Sequence, residues 1–221
     1  MQLVTIKYRQ KFKARCVSAW YLFLLFTLPL SAIATETALQ HLSTALDFKT
    51  LQATFSQTVR DHGQLLQESS GDLSILRPGY FLWQVKQPRV SAILLQHHHL
   101  TLYEPELNQV TYLQMQPHAM QAYPALLLTE NNQDVLADFT VTEPKTGQFI
   151  LVPKKENGLF QRVVLTFSET GTLKSITIRN HLDQNLAVTL TQVIRDQPIA
   201  KEVFKLALPQ GTVVINMEHD S

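Results

Sequence analysis

Gly71-Asp72-Leu73-Ser74-Ile75-Leu76-Arg77-Pro78-Gly79-Tyr80-Phe81-Leu82-Trp83 carries more information than any other stretch of this chain. In its first half Gly71, Leu73 and Ile75 fall on one side and Asp72 and Ser74 on the other, the period-two pattern of a half-buried strand. Arg77-Pro78-Gly79 is turn chemistry. Beyond it Tyr80, Phe81, Leu82, Trp83 and Val85 make a second run that is apolar on both sides. Counting by twos puts Arg77 on the side of Leu73 and Ile75. Arginine does not shed its charge, so on an apolar face it needs acceptors. Two readings follow. Arg77 lies at the strand end and reaches water, or it bonds the loose carbonyls at a helix end of the mid-chain insert and holds a lid over the apolar face.

The same rhythm extends in both directions. Leu51, Ala53, Phe55 and Val59 alternate with Gln52, Thr54 and Ser56. Further strand-like runs span 80–86, 91–96, 100–104, 109–114, 139–143, 148–152, 161–168, 172–179, 185–194 and 203–207, separated by turns such as Glu104-Pro105-Glu106 and Glu169-Thr170-Gly171. Such a series of short strands and tight turns predicts one large antiparallel meander. Two patches break the rhythm. Ala38, Leu39, Leu42, Ala45 and Leu46 recur at helical spacing, which predicts a helix over 37–47 with Thr35 or Thr37 as N-cap. The insert at about 115–138 has no alternation. There Tyr123-Pro124-Ala125-Leu126-Leu127-Leu128 reads as the first turns of a short helix, and Asn131 or Asn132 is placed to cap another carrying Val135 and Leu136.

A single sheet with one solvated face shows clean alternation. Tyr80–Val85, then Ile93, Leu94 and Leu95, then Val163, Val164, Leu165 and Phe167 do not show it. Either helices cover much of one face, or that face binds something apolar.

The chain has 221 residues, with 19 Lys and Arg against 18 Asp and Glu, one Cys, and only 17% charged residues. These totals conceal an asymmetry. Lys7, Arg9, Lys11, Lys13, Arg15 and Cys16 precede an apolar run from Val17 to Ile33, which ends in Ala32-Ile33-Ala34. A positive segment, an apolar segment and a small-x-small site describe a secretory signal peptide, 1–34, with cleavage after Ala34. Pro29 within the run argues against a retained anchor, and Cys16 lies on the wrong side of it for a lipoprotein signal. The remaining domain, 35–221, holds 14 basic and 18 acidic residues and no cysteine. Disulfides, a cysteine-ligated metal and a thiol nucleophile are thereby excluded, and no basic face points to nucleic acid.

Signs of catalysis are missing too. There is no G-x-S-x-G elbow, no glycine-rich phosphate loop and no outstanding carboxylate pair. His97-His98-His99 offers at most two same-face ligands on a strand and reads as a surface turn rather than a metal site. No enzyme activity, metal or cofactor is expected.

The segment 71–83, followed by YEPELNQVTYL (103–113) and YPALLL (123–128) in this order and spacing, resembles the periplasmic outer-membrane lipoprotein carrier family, LolA. ATFSQ (53–57) and LPQGTVVI (208–215) extend the likeness over nearly the whole expected mature chain. The resemblance implies an incomplete (open) antiparallel β-barrel of about eleven strands covered by a helical lid. It implies a monomeric chaperone that takes acylated lipoproteins from an inner-membrane ABC release complex, shields their acyl chains, and delivers them to the outer-membrane receptor LolB. Arg77 matches the family's lid latch. Phe55, Leu73, Ile75, Phe81, Trp83 and Tyr112 are the expected acyl-pocket lining, and Pro124, Leu126, Leu127 and Leu128 the expected lid. The chain departs from the family pattern at Gln96-His97-His98-His99-Leu100-Thr101, where relatives carry an Asp-Gly turn and then a Trp. Without Gly a primed two-residue turn is costly, and Thr101 replaces a bulky apolar side chain. A carrier of another lipid or glycolipid on the same fold, and an interaction module that binds no ligand, are the alternative readings.

Overall fold

The computed structural model describes residues 30–115, 127–129, 135–155 and 160–217, with the side chains of 30–37 left aside. A helix, α1 (Leu30–Ala45), leads into β1 (Thr50–Asp61), β2 (Gln64–Leu76), β3 (Tyr80–Gln87), β4 (Ser91–Gln96), β5 (His99–Glu104) and β6 (Gln109–Gln114). After the insert come β7 (Phe139–Lys145), β8 (Gln148–Pro153), β9 (Arg162–Phe167), β10 (Leu173–Arg179), β11 (Gln184–Arg195) and β12 (Val213–Met217). These twelve strands form one sheet in the order β12-β6-β5-β4-β3-β2-β1-β11-β10-β9-β8-β7, with β12 and β7 at its two ends. The fold is mainly β in one large sheet, as the alternation predicts, and the sheet is open, as the family resemblance implies.

Two meanders share the central strand β1, because β11 returns to pair beside it. The connection from β6 to β7 must therefore travel from one end of the sheet to the other. That connection is the insert at about 115–138, whose described residues Leu127, Leu128 and Leu136 are buried in the core. One hydrophobic cluster joins Leu100 and Met115 on one half to Phe149, Leu165 and Ile176 on the other, with Ala38, Leu42 and Leu46 of the helical segment between them. The sheet is thus curled around a common core. The helix begins at Leu30, ahead of the expected start at 37, and its buried stripe is the one the sequence marks.

Three expectations need correction. The run 203–207 is no strand: Lys201–Phe204 is a 3-10 turn, and Phe204 is fully buried. The last strand is Val213–Met217, and it pairs with β6 in parallel, Val213 beside Gln109 and Met217 beside Leu113, so the sheet is not wholly antiparallel. A five-residue strand whose partner lies a hundred residues upstream leaves no local signature. The third concerns 97–98, which do form a two-residue turn without glycine. His97 takes the left-handed conformation at φ 55, which His adopts more readily than most residues. Its ring packs edge-on to Tyr80 at 4.9 Å.

Two of the strands that are apolar on both sides, β3 and β4, have a cover on each. Phe81, Trp83 and Leu95 face the concave core. Leu82, Ala92 and Leu94 point to the outer face, where Phe204 with Ile199 and Leu206 closes over them. Gln96 Nε2 donates to the Phe204 carbonyl at 3.0 Å and holds that cover in place. Over β3 and β4 the outer face is thus covered by the C-terminal segment around Phe204.

Candidate functional site

Arg77 directly follows β2, and its guanidinium lies on the concave side. Its backbone N–H donates to Lys49 O at 2.9 Å. Its Nε donates to Leu128 O at 2.7 Å and a terminal guanidinium nitrogen to Leu46 O at 2.6 Å, while the guanidinium lies 4.0 Å above the Phe48 ring. Leu46 directly follows α1, whose last carbonyls have no partners within the helix and carry partial negative charge. Leu128 belongs to the insert. One cation therefore joins two segments that the sequence separates by 82 residues, with a cation–π contact that adds to both hydrogen bonds. Next to it Gly79 N donates to Thr129 O at 3.1 Å. Leu127, Leu128 and Leu136 are buried in the core, which packs the described part of the insert onto the concave face. Pro124 and Leu126 lie outside the described residues.

A second arginine serves the same corner. Arg195 donates to Asp47 O at 3.0 Å and to Gly171 O at 2.7 Å, and its guanidinium sits 5.6 Å from the Phe48 ring centre. Sequence reasoning missed it for a definite reason. Counting by twos from Leu186, Val188 and Leu190 sends Arg195 to the outer face. Gln192 has φ 51, and the β1–β11 register slips there. A bulge of this kind reverses the alternation, so Val193 and Arg195 turn inward and Ile194 outward.

Above this corner the concave surface holds an apolar cavity of about 380 Å³. Its walls include Phe81, Trp83, Leu100, Leu102 and Leu113 from one half of the sheet and Ile176, Ile178 and Val188 from the other, with Met115 and Met217. Trp83 is fixed by stacking on Phe55 at 3.7 Å between centroids. Gly71 makes that stack possible: a Cβ there would stand 1.8 Å from Gln84 O and 3.0 Å from the Phe55 ring. A second cavity of about 770 Å³ opens beside the first and shares Gln57, Trp83, Ile93 and Leu186 with it, but its rim carries Glu68, Arg89, Glu104 and Glu106.

Of the expected lining, Phe81 and Trp83 stand in the cavity wall. Phe55, Leu73 and Ile75 lie behind it, fully buried, and line neither cavity. Tyr112 requires correction. It pairs with Thr101 on the outer face and is 38% exposed, while its neighbour Leu113 faces the cavity. Val110 and Tyr112 alternate with Thr111 and Leu113, so β6 alone gives no sign of which set turns inward. Thr101 shares that outer face, opposite Leu94, and does not touch the cavity.

On the far flank, Glu143 of β7 accepts from His41 Nδ1 of α1 at 3.0 Å and from Gly147 N at 2.9 Å. Burial pushes this carboxyl upward, but those two hydrogen bonds and the His41 charge outweigh it and hold Glu143 below its ordinary value. The pair ties α1 to β7, the strand at one end of the sheet.

This chain is similar to known proteins over most of its length. The family model described as outer membrane lipoprotein carrier protein LolA matches residues 47–207. An outer-membrane lipoprotein carrier protein of Azotobacter vinelandii is 32% identical over 189 residues, covering 83% of this chain and 90% of its own. One from Pseudomonas fluorescens is 31% identical over 171 residues, covering 76% and 82%. Among solved structures, an uncharacterized conserved protein from Thermus thermophilus shares the fold at a TM-score of 0.52, with 12% identity, covering 82% of this chain and 98% of its own. With the family model spanning 161 consecutive residues, and with relatives near one-third identity over most of both chains, the chain belongs to the outer membrane lipoprotein carrier protein LolA family.

Proposed function

We propose that this protein is a periplasmic chaperone for acylated lipoproteins. It is exported by the segment 1–34, receives cargo from an inner-membrane ABC release complex, and delivers it to the outer-membrane receptor LolB. The single observation that carries the reading is the apolar cavity between Phe81, Trp83 and Ile176 on the same concave face onto which Arg77 ties the insert through Leu128 O. At roughly 0.8 kcal/mol per methylene, three acyl chains of about 15 methylenes lose on the order of 35 kcal/mol in water. A surface patch does not shield that, and a permanently open cavity of that size aggregates.

Volume sets the mechanism. A methylene occupies about as much space as a water, roughly 30 Å³, so one such chain fills on the order of 450 Å³ and three fill well over 1,000 Å³. The cavity of about 380 Å³ takes part of that load. Together with the adjoining cavity of about 770 Å³ it still falls short of three chains, and movement of the insert off the concave face, which breaks the Arg77 hydrogen bond to Leu128 O, supplies the rest. The closed empty state therefore competes with the loaded state through Arg77, and that competition makes cargo release to a tighter-binding receptor possible. Arg77 is the latch, and the insert carrying Leu127 and Leu128 is the lid. The chain works as a monomer, without cofactor.

Protein isolated from the periplasm and extracted for co-purifying molecules tests this reading. Acylated lipoproteins are the expected cargo. Recovery of glycolipid or other lipid alone, or of no cargo under conditions where the donor complex is active, overturns it.

A further inference from the structure

Ser69 stands out among the described residues as the buried side chain whose hydroxyl no protein group pairs. It is only 6% exposed and lines the larger cavity. A buried hydroxyl left unpaired costs on the order of 1–3 kcal/mol, so its retention invites a ligand. Ser69 sits opposite Gln57 in the β1–β2 register, on the concave side with Phe55 and Gly71. Gln57 belongs to both cavities and so marks the border where the apolar one meets the polar-rimmed one. Trp83 and Ile93 share that border.

Any acyl chain seated in the apolar cavity brings a carbonyl with it, as an ester or an amide, and that oxygen arrives at the border of the apolar region. Left without a donor it suffers the same desolvation penalty as the hydroxyl. We propose that Gln57 and Ser69 form a subsite for the acyl carbonyl of the cargo, the Ser69 hydroxyl and the Gln57 amide donating to ester or amide oxygens as the hydrocarbon enters past Trp83. This rests on the acyl-carrier reading above and deepens it: the apolar cavity holds methylenes regardless of what they are attached to, whereas this pair selects chains ending in a carbonyl and fixes how deep they sit.

The test uses the full protein and two synthetic probes, an N-acyl, S-diacylglyceryl cysteine peptide and its analogue with each acyl carbonyl replaced by a methylene. Wild-type protein is expected to prefer the carbonyl-bearing peptide. Ser69→Ala and Gln57→Leu each reduce that preference, read as the ratio of the two affinities within one variant, about 5-fold, and together they reduce it 10- to 50-fold. Because Ser69→Ala removes one buried oxygen, folding is not at risk, and a matching thermal midpoint verifies this. If both variants bind the two probes in the wild-type ratio, or if wild type shows no preference, the subsite is wrong while the carrier reading stands. If wild type binds neither probe, the carrier reading fails and takes the subsite with it.

Discussion

Replacing Arg77 with leucine removes two charge-assisted hydrogen bonds, to Leu128 O and Leu46 O, and the stacking on Phe48. Hydrogen bonds to charged groups contribute about 1.5–3 kcal/mol each. Arg77 is half-buried, so the lower end applies, and the bond to Leu128 O, the one that departure of the insert breaks, contributes roughly 1.5 kcal/mol to the closed state. The bond to Leu46 O lies outside the insert and is common to both states. The substitution therefore shifts the equilibrium from closed and empty toward open and loaded by about that amount, on the order of 10-fold at 1.4 kcal/mol per factor of ten. In a transfer assay, radiolabelled lipoprotein bound to the variant should move to receptor-bearing outer membranes roughly 10-fold more slowly than from wild type, while loading from the donor remains normal or improves. Arg77→Lys, which keeps the charge but reaches one carbonyl at most, should lie between. Transfer from Arg77→Leu at the wild-type rate would falsify the latch.

Gly71→Ala forces a Cβ into Gln84 O. Overpacking against backbone costs about 1–3 kcal/mol or more, so the melting temperature should fall by roughly 3–12 °C for a chain of this size; an unchanged midpoint would mean the β2–β3 approach is looser than described. Phe204→Ala opens the outer layer over Leu82 and Leu94. A loss of about 3–5 kcal/mol in denaturant unfolding is expected, with increased binding of a hydrophobic dye and cargo binding retained, since the concave cavity is on the other side. Loss of cargo binding in folded variant protein would place the ligand on the wrong face. Glu143 has a depressed folded-state pKa through His41 and Gly147. Its contribution is complete above its unfolded pKa and disappears as pH falls through the folded one, so acid should weaken the tie between α1 and β7. Glu143→Gln should flatten the acid limb of the stability–pH curve below about pH 5; an acid limb as steep as wild type contradicts the assignment.

Strand boundaries were legible because alternation and turn chemistry are local. Residues 91–96 and 109–114 coincide with β4 and β6, and most other runs end within two residues of the observed strands. Arg77 was legible for the same reason, since no bulge interrupts β2 between Gly71 and Arg77 in its pairing with β1. Parity failed where something non-local intervened. Arg195 was lost to the slip at Gln192, and Tyr112 was assigned inward because both faces of β6 carry apolar or aromatic residues.

By itself, then, the sequence determined a large many-stranded sheet, a helix bearing Leu42 and Leu46, an insert of different periodicity, and an arginine obliged to find acceptors on an apolar face. Each follows from forces acting between residues close in the chain: the two-residue pleat, the helical repeat, and the cost of stranding a guanidinium. Only the tertiary structure decided which acceptors those are, Leu46 O and Leu128 O, and that Arg195 joins them beside Phe48. It also decided that Phe204 covers the outer face, that β12 closes beside β6 in parallel, and that Gln57 and Ser69 meet at the border between the two cavities. These depend on strand register and on contacts between segments a hundred residues apart, and no local pattern encodes which of several apolar partners will prevail.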